Sequence, residues 1–207
     1  MISVRTILCA ALVAVAVAML SLLTPRHATP PVPLPVAAGS PKLRPLTLQI
    51  PPFVLSDQNG VPLSREDLRG RVWIVDFIFT HCAASCPKMS DRCAELQKQI
   101  PDPRVMFLSF SVDPDRDDVA TRKAYAAAHG IDPSRWRFVS PPTRAQALAL
   151  ARAVKIGGPS SMADNPVLHS DRFVLIDTTG RLRGIYPLDD PDALIRLVAD
   201  AKSSAKE

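Results

Sequence analysis

The sequence predicts an α/β domain in which a central mixed sheet is flanked by helices. Three observations carry this reading. Val72–Phe79 is β-rich and apolar on both faces, strand and helix patterns alternate after it, and the chain closes on a β-hairpin and a helix. A strand apolar on both faces is one that is covered from both sides.

The elements follow in order. Phe53-Val54-Leu55 and Val61-Pro62-Leu63 flank Asp57-Gln58-Asn59-Gly60, whose Asn-Gly step signals a hairpin turn. Ser64-Arg65-Glu66-Asp67 reads as the N-cap of a short helical turn ending at Gly70. After the central strand a helix is expected from Pro87, because Cys86, Met89, Cys93, Leu96 and Ile100 form an inward stripe. Val105–Val112 is a second buried strand, and Val119–His129 is an Ala-rich helix closed by Gly130. Arg135–Ser140 is a short strand. Thr143-x-x-Gln146 is a capping box for a helix running to about Val154, and a loop occupies 157–166. Phe173–Ile176 and Leu182–Tyr186 flank Thr178-Thr179-Gly180 as an antiparallel hairpin. Asp190-Pro191 then starts a terminal helix with Leu194, Leu197, Val198 and Ala201 inward.

This order is that of a thioredoxin-like sheet with an added N-terminal hairpin and an insertion in the middle. A doubly wound parallel sheet is the alternative, and the final antiparallel hairpin argues against it.

The domain is expected to span 48–207. Ahead of it, Ile7–Leu23 carries no charge, and as a helix it would rise roughly 25 Å, enough to cross a bilayer core. Residues 1–25 therefore read as one transmembrane anchor. A cleaved signal peptide is the competing reading, but its best cleavage candidate, Val36-Ala37-Ala38, lies well past the apolar run. Cys9 reads as a small apolar residue of that segment. Nine prolines between Pro25 and Pro52 make 26–47 a stiff, extended linker. Either way the domain is exported. The net charge of +5 comes from basic residues interspersed with acidic ones, with no basic, aromatic-rich block, so the chain has no nucleic-acid signature.

Export matters for the cysteines. Outside the cytoplasm a close thiol pair is oxidised, actively reduced or occupied by metal. Cys82 and Cys86 sit where the central strand hands over to the next helix, the redox position of thioredoxin-like folds. Four residues apart on a helical turn, they would share one face, and a helix N-terminus favours thiolate. Redox pairs of this kind ordinarily have two intervening residues; here there are three, Ala83-Ala84-Ser85. Two thiolates suit a soft ion such as Cu(I), and imidazole suits copper too. A plain disulfide is the alternative. His169, at the mouth of the hairpin strand, is a candidate third ligand or an ordinary loop histidine.

At this point the residues resemble the Sco/SenC family. Phe77-Ile78-Phe79-Thr80-His81-Cys82-Ala83-Ala84-Ser85-Cys86-Pro87 matches its aromatic-x-aromatic-Thr-x-Cys-x-x-x-Cys-Pro signature. Ser111-Val112-Asp113-Pro114-Asp115-Arg116-Asp117 and His169-Ser170 with Phe173–Asp177 match in the same order, over roughly 48–200. The resemblance implies a membrane-anchored, thioredoxin-fold copper protein that helps assemble the Cu(A) centre of cytochrome c oxidase; Ala-, Arg- and Pro-rich usage points to a bacterium, and so to an inner-membrane anchor with the domain in the periplasm or an equivalent space. Its metal ligands would be Cys82, Cys86 and His169, and its partner the oxidase's copper-bearing subunit or another exported copper protein. The family often has an acidic residue between the cysteines and an Asp before the histidine; here those places hold Ala83-Ala84-Ser85 and Leu168, which alters the charge available for docking. The second function class is a thiol-disulfide oxidoreductase working through Cys82 and Cys86. A redox or copper sensor is a third, which nothing in the sequence favours.

Other residues have both structural and functional readings. Cys93 is a packed core thiol or an exchange partner. His81 is an exposed loop residue or a modulator of Cys82. Asp76, inside an apolar strand, is hydrogen-bonded structurally or accepts a proton near Cys86. His129 suits a helix C-terminus. Met162 is a loop residue that could visit copper.

Overall fold

The computed structural model describes residues 49–130, 132–154 and 170–207. The predicted anchor with Cys9, the linker 26–47, the loop at 157–166 with Met162, and His169 lie outside these residues. Among the described residues no helix is long and apolar enough to cross a membrane.

The chain opens with β1 (Val54–Ser56) and β2 (Pro62–Ser64), followed by a 3-10 turn at Glu66–Leu68. Then come β3 (Val72–Ile78), α1 (Ser85–Gln99), β4 (Val105–Ser111), α2 (Val119–Ala128), β5 (Trp136–Val139) and α3 (Arg144–Ala153). It ends with β6 (Ser170–Ile176), β7 (Leu182–Pro187) and α4 (Pro191–Ser204). Five strands form one sheet in the order β5-β4-β3-β6-β7. β4 runs parallel to β3 and to β5, whereas β6 runs antiparallel to both β3 and β7. This is the mixed sheet expected of a thioredoxin-like fold.

Two apolar layers explain why β3 is buried along its whole length. Val72, Ile74 and Ile78 pack with Cys86, Met89, Cys93 and Leu96 of α1 and with Leu194 and Leu197 of α4. The alternate residues Trp73, Val75 and Phe77 pack against Leu150 and Ala151 of α3 and against Phe53 and Leu55 beside and within β1. Period-2 alternation thus feeds two cores from one strand.

Local signals set most boundaries. Thr143 caps α3 by accepting from Gln146 N at 3.3 Å, although Gln146 meets the Thr143 hydroxyl instead of reaching back to the backbone. Asp190 caps α4 in the same way through Ala193 N, with Pro191 in the first turn. In both hairpins an aspartate carboxylate organises the turn. Asp57 Oδ1 accepts from the N–H groups of Asn59 and Val61, and Asp177 Oδ1 from those of Thr179 and Arg181. The following glycines, Gly60 and Gly180, take φ of +77° and +82°, a conformation that costs any other residue.

The added hairpin is stitched into the domain. Ser56 and Ser140 exchange backbone hydrogen bonds of 3.0 and 2.9 Å, and Gln58 Oε1 accepts from Phe138 N. These bonds occupy the free edge of β5, which would otherwise offer a template for pairing. Asp57 also receives Arg137 at 2.6 Å.

Candidate metal centre

β3 ends at Ile78, and the chain turns immediately: Cys82 N donates to Phe79 O at 3.2 Å, closing a tight turn around Thr80 and His81. The structure corrects one expectation here. Cys82 does not share a helical turn with Cys86; it lies in the loop before α1, which begins at Ser85. Pro87 falls in the first turn, where a missing N–H costs no helical bond. Cys82 is half-buried and Cys86 is buried; both are free thiols.

The α1 N-terminus explains why the two cysteines still act together. Its N-cap is Ala84, which has no side-chain oxygen to accept from the first N–H groups. The Cys82 sulfur stands near this terminus, where the N–H groups of Ala84, Ser85 and Cys86 favour its thiolate. Partial burial opposes the Cys82 thiolate, but the Cys86 thiol and these N–H groups outweigh it, so the Cys82 thiol is held below its ordinary range. Cys86 is the reverse. Burial first, then the neighbouring Cys82, pushes its thiol far up, against a lowering contribution from the Phe79 backbone. Cys82 is thereby the more readily ionised of the two sulfurs, and Cys86 the one that keeps its proton.

Beneath the pair lies Asp76, on the face of β3 that packs against α1. Burial raises its carboxyl from 3.8 to about 7, and Ser109, directly opposite on β4, moderates the rise without completing a full hydrogen bond. The Ser109 hydroxyl instead accepts from Trp136 Nε1 at 3.0 Å. Cys93 is buried in the core stripe, and burial raises its thiol well above the ordinary range, the condition of a packed core thiol. His129 caps the C-terminus of α2, with Nδ1 3.2 Å from Asp91 and its ring 4.4 Å from Tyr125. His81 is exposed, its Nδ1 3.0 Å from the Thr80 hydroxyl.

The structure therefore brings Cys82 and Cys86 together. His169, the candidate third ligand, lies outside the described residues. Its neighbour Ser170 opens β6 opposite Phe77, at the end of β3 from which the cysteine loop departs. Among the described residues no group of three His, Cys, Asp or Glu side chains is arranged to hold a metal ion. The donor chemistry of the two thiols, one poised as thiolate, fits a soft cation.

Sequence reasoning missed Asp117. Its carboxylate accepts from the Thr80 hydroxyl at 2.6 Å, from Thr80 N at 3.2 Å and from the Ser111 hydroxyl at 2.5 Å. The signal was present in Ser111-Val112-Asp113-Pro114-Asp115-Arg116-Asp117, but nothing in that run indicates which of its three aspartates turns inward to Thr80.

Comparison with known proteins agrees with this architecture. The sequence model of the SCO1/SenC family matches residues 42–203. The SCO1 protein homolog of Bacillus subtilis (strain 168) is 30% identical over 179 residues, covering 82% of this chain and 90% of that protein. Among solved structures, BsSco, described as a member of the Sco family of cytochrome c oxidase assembly proteins, superposes with a TM-score of 0.67 at 29% identity, covering 79% of this chain and 96% of that one. ScoI of Bradyrhizobium japonicum, solved with copper bound, gives a TM-score of 0.60 at 26% identity, covering 74% of this chain and 98% of that one.

Proposed function

This chain belongs to the SCO1/SenC family, and from that premise we propose that it is a copper metallochaperone. It takes one copper ion as cargo through Cys82, Cys86 and His169. It delivers that ion to the Cu(A) site of cytochrome c oxidase during assembly, with the copper-bearing subunit as acceptor. Residues 1–25 tether it to the inner membrane as a single span, 26–47 form the spacer, and the domain stands in the periplasm or an equivalent space.

The observation that carries this reading is the pairing of a thiolate-poised Cys82 with a buried Cys86 at an uncapped helix terminus. The position of Ser170 opposite Phe77 supports His169 as the third donor. Copper bound to the related ScoI and the oxidase-assembly description of BsSco support the cargo and the acceptor.

The test is copper stoichiometry and Cu(I) affinity of the reduced full chain in mild detergent, measured against a chromophoric chelator. Wild type should retain one copper per chain. His169→Ala should lose affinity by at least about tenfold, and an unchanged affinity would refute the three-ligand site.

The unequal thiols also favour a second reading as a disulfide reductase. Cys82 thiolate attacks a partner disulfide, forming a mixed disulfide and expelling one partner thiolate. Cys86 gives up its proton, attacks the Cys82 sulfur and expels the second. Two electrons pass to the partner, and an external dithiol must restore the pair. In this reaction His169 is dispensable.

A further inference from the structure

Asp117 is wholly buried and hydrogen-bonds on both oxygens. Oδ1 takes the backbone N–H and hydroxyl of Thr80, thirty-seven positions away in sequence; Oδ2 takes Ser111 at the end of β4. Thr80 is the first of the two central residues in the turn that Cys82 N closes onto Phe79 O. Holding Thr80 by two of its own groups fixes the turn from within, and the residue leaving that turn is Cys82.

Asp117 is itself held from behind. Arg122 is buried; its Nη1 donates to the Asp117 carbonyl, and its Nη2 to the Ser56 carbonyl and hydroxyl and the Asp57 carbonyl at 2.8–3.2 Å. The N-terminal hairpin, α2 and the cysteine loop are thus joined by one polar chain running Ser56/Asp57, Arg122, Asp117, Thr80. A buried guanidinium and a buried carboxylate are tolerated because nearly every polar atom is satisfied; only Arg122 Nε has no partner among the described residues.

We infer that Asp117 is the positioning residue of the metal loop: by locking Thr80 it sets where the Cys82 sulfur stands against the N-terminus of α1. The inference rests on the proposed copper site. It extends that site beyond its ligands to a side chain that touches neither sulfur.

The experiment compares the reduced full chain in mild detergent as wild type, Asp117→Ala, Thr80→Val, Thr80→Ser and Ser111→Ala. Cu(I) affinity is read by chelator competition, and the rate of Cys82 alkylation by iodoacetamide is read without metal. Loss of a group that orients a metal ligand typically costs about 10–100-fold in affinity. Asp117→Ala should fall in that range and Thr80→Val near its lower end, with Thr80→Ser restoring wild-type binding. Ser111→Ala removes an Asp117 bond that does not lead to Cys82, so it should lower the melting temperature but keep affinity within about twofold.

Thr80→Val decides the matter if Asp117→Ala does not fold. Wild-type affinity in Thr80→Val, or an equal loss in Ser111→Ala, would overturn the inference. If wild type binds no copper, the proposed function fails separately. The alkylation rate then decides alone: a change of at least about threefold in Thr80→Val upholds positioning, and none refutes it.

Discussion

Replacing Asp76 with asparagine should remove a pH dependence that the fold imposes on itself. The Asp76 carboxyl is buried in the centre of β3, and burial raises it from 3.8 to about 7. At low pH the folded and unfolded chains both carry this proton. Between about pH 4 and 7 the unfolded chain releases it while the folded chain keeps it. The unfolded state then binds fewer protons, and stability falls as pH rises. Above about pH 7 both states are ionised and the fall ends. Each pKa unit is worth about 1.4 kcal/mol, so the displacement corresponds to about 4 kcal/mol lost across the window. Asparagine does not titrate there. Its amide needs partners that the site lacks, a cost of about 1–3 kcal/mol, but that cost is the same at every pH. Urea unfolding of wild type and Asp76→Asn at pH 4 and pH 8 isolates the titration, because all other groups cancel between the two proteins. The variant should gain about 4 kcal/mol on wild type in going from pH 4 to pH 8. A gain below about 1 kcal/mol would refute the burial argument.

Other outcomes follow from the same contacts. At pH 7.5 iodoacetamide should modify Cys82 at least about tenfold faster than Cys86 or Cys93, read by mass spectrometry; equal rates would contradict the helix-terminus cradle. Arg122→Met removes a buried cation that serves both Asp117 and the hairpin, and should cost about 3–5 kcal/mol in urea unfolding. Gly184→Ala would place a methyl 2.5 Å from the Tyr186 hydroxyl and 2.7 Å from its ring carbon, displacing a ring whose hydroxyl donates to buried Asp200 at 2.7 Å. A loss of about 2–3 kcal/mol is expected, and a melting temperature equal to wild type would show that the ring moves freely.

By itself, the sequence determined what depends on short-range order. Strand and helix periods, the caps at Thr143 and Asp190, the glycine turns at Gly60 and Gly180 and the two-sided burial of β3 all involve residues a few positions apart. Their physics is local, so they were legible in advance, as was the Cys82–Cys86 pair at the strand-to-helix junction. Only the tertiary structure decided which polar groups are buried together. Arg122 is the plainest case: an arginine in an Ala-rich helix reads as solvent-facing, yet it is enclosed because Ser56 and Asp57, sixty-six and sixty-five residues away, supply its acceptors. Asp117 finds Thr80 only once β3 and β4 lie parallel and in register. Cys82 lies in the loop ahead of α1, leaving a turn that Asp117 holds through Thr80. Such groups enter the interior only when distant partners offset the loss of water, and no local pattern records where those partners will stand.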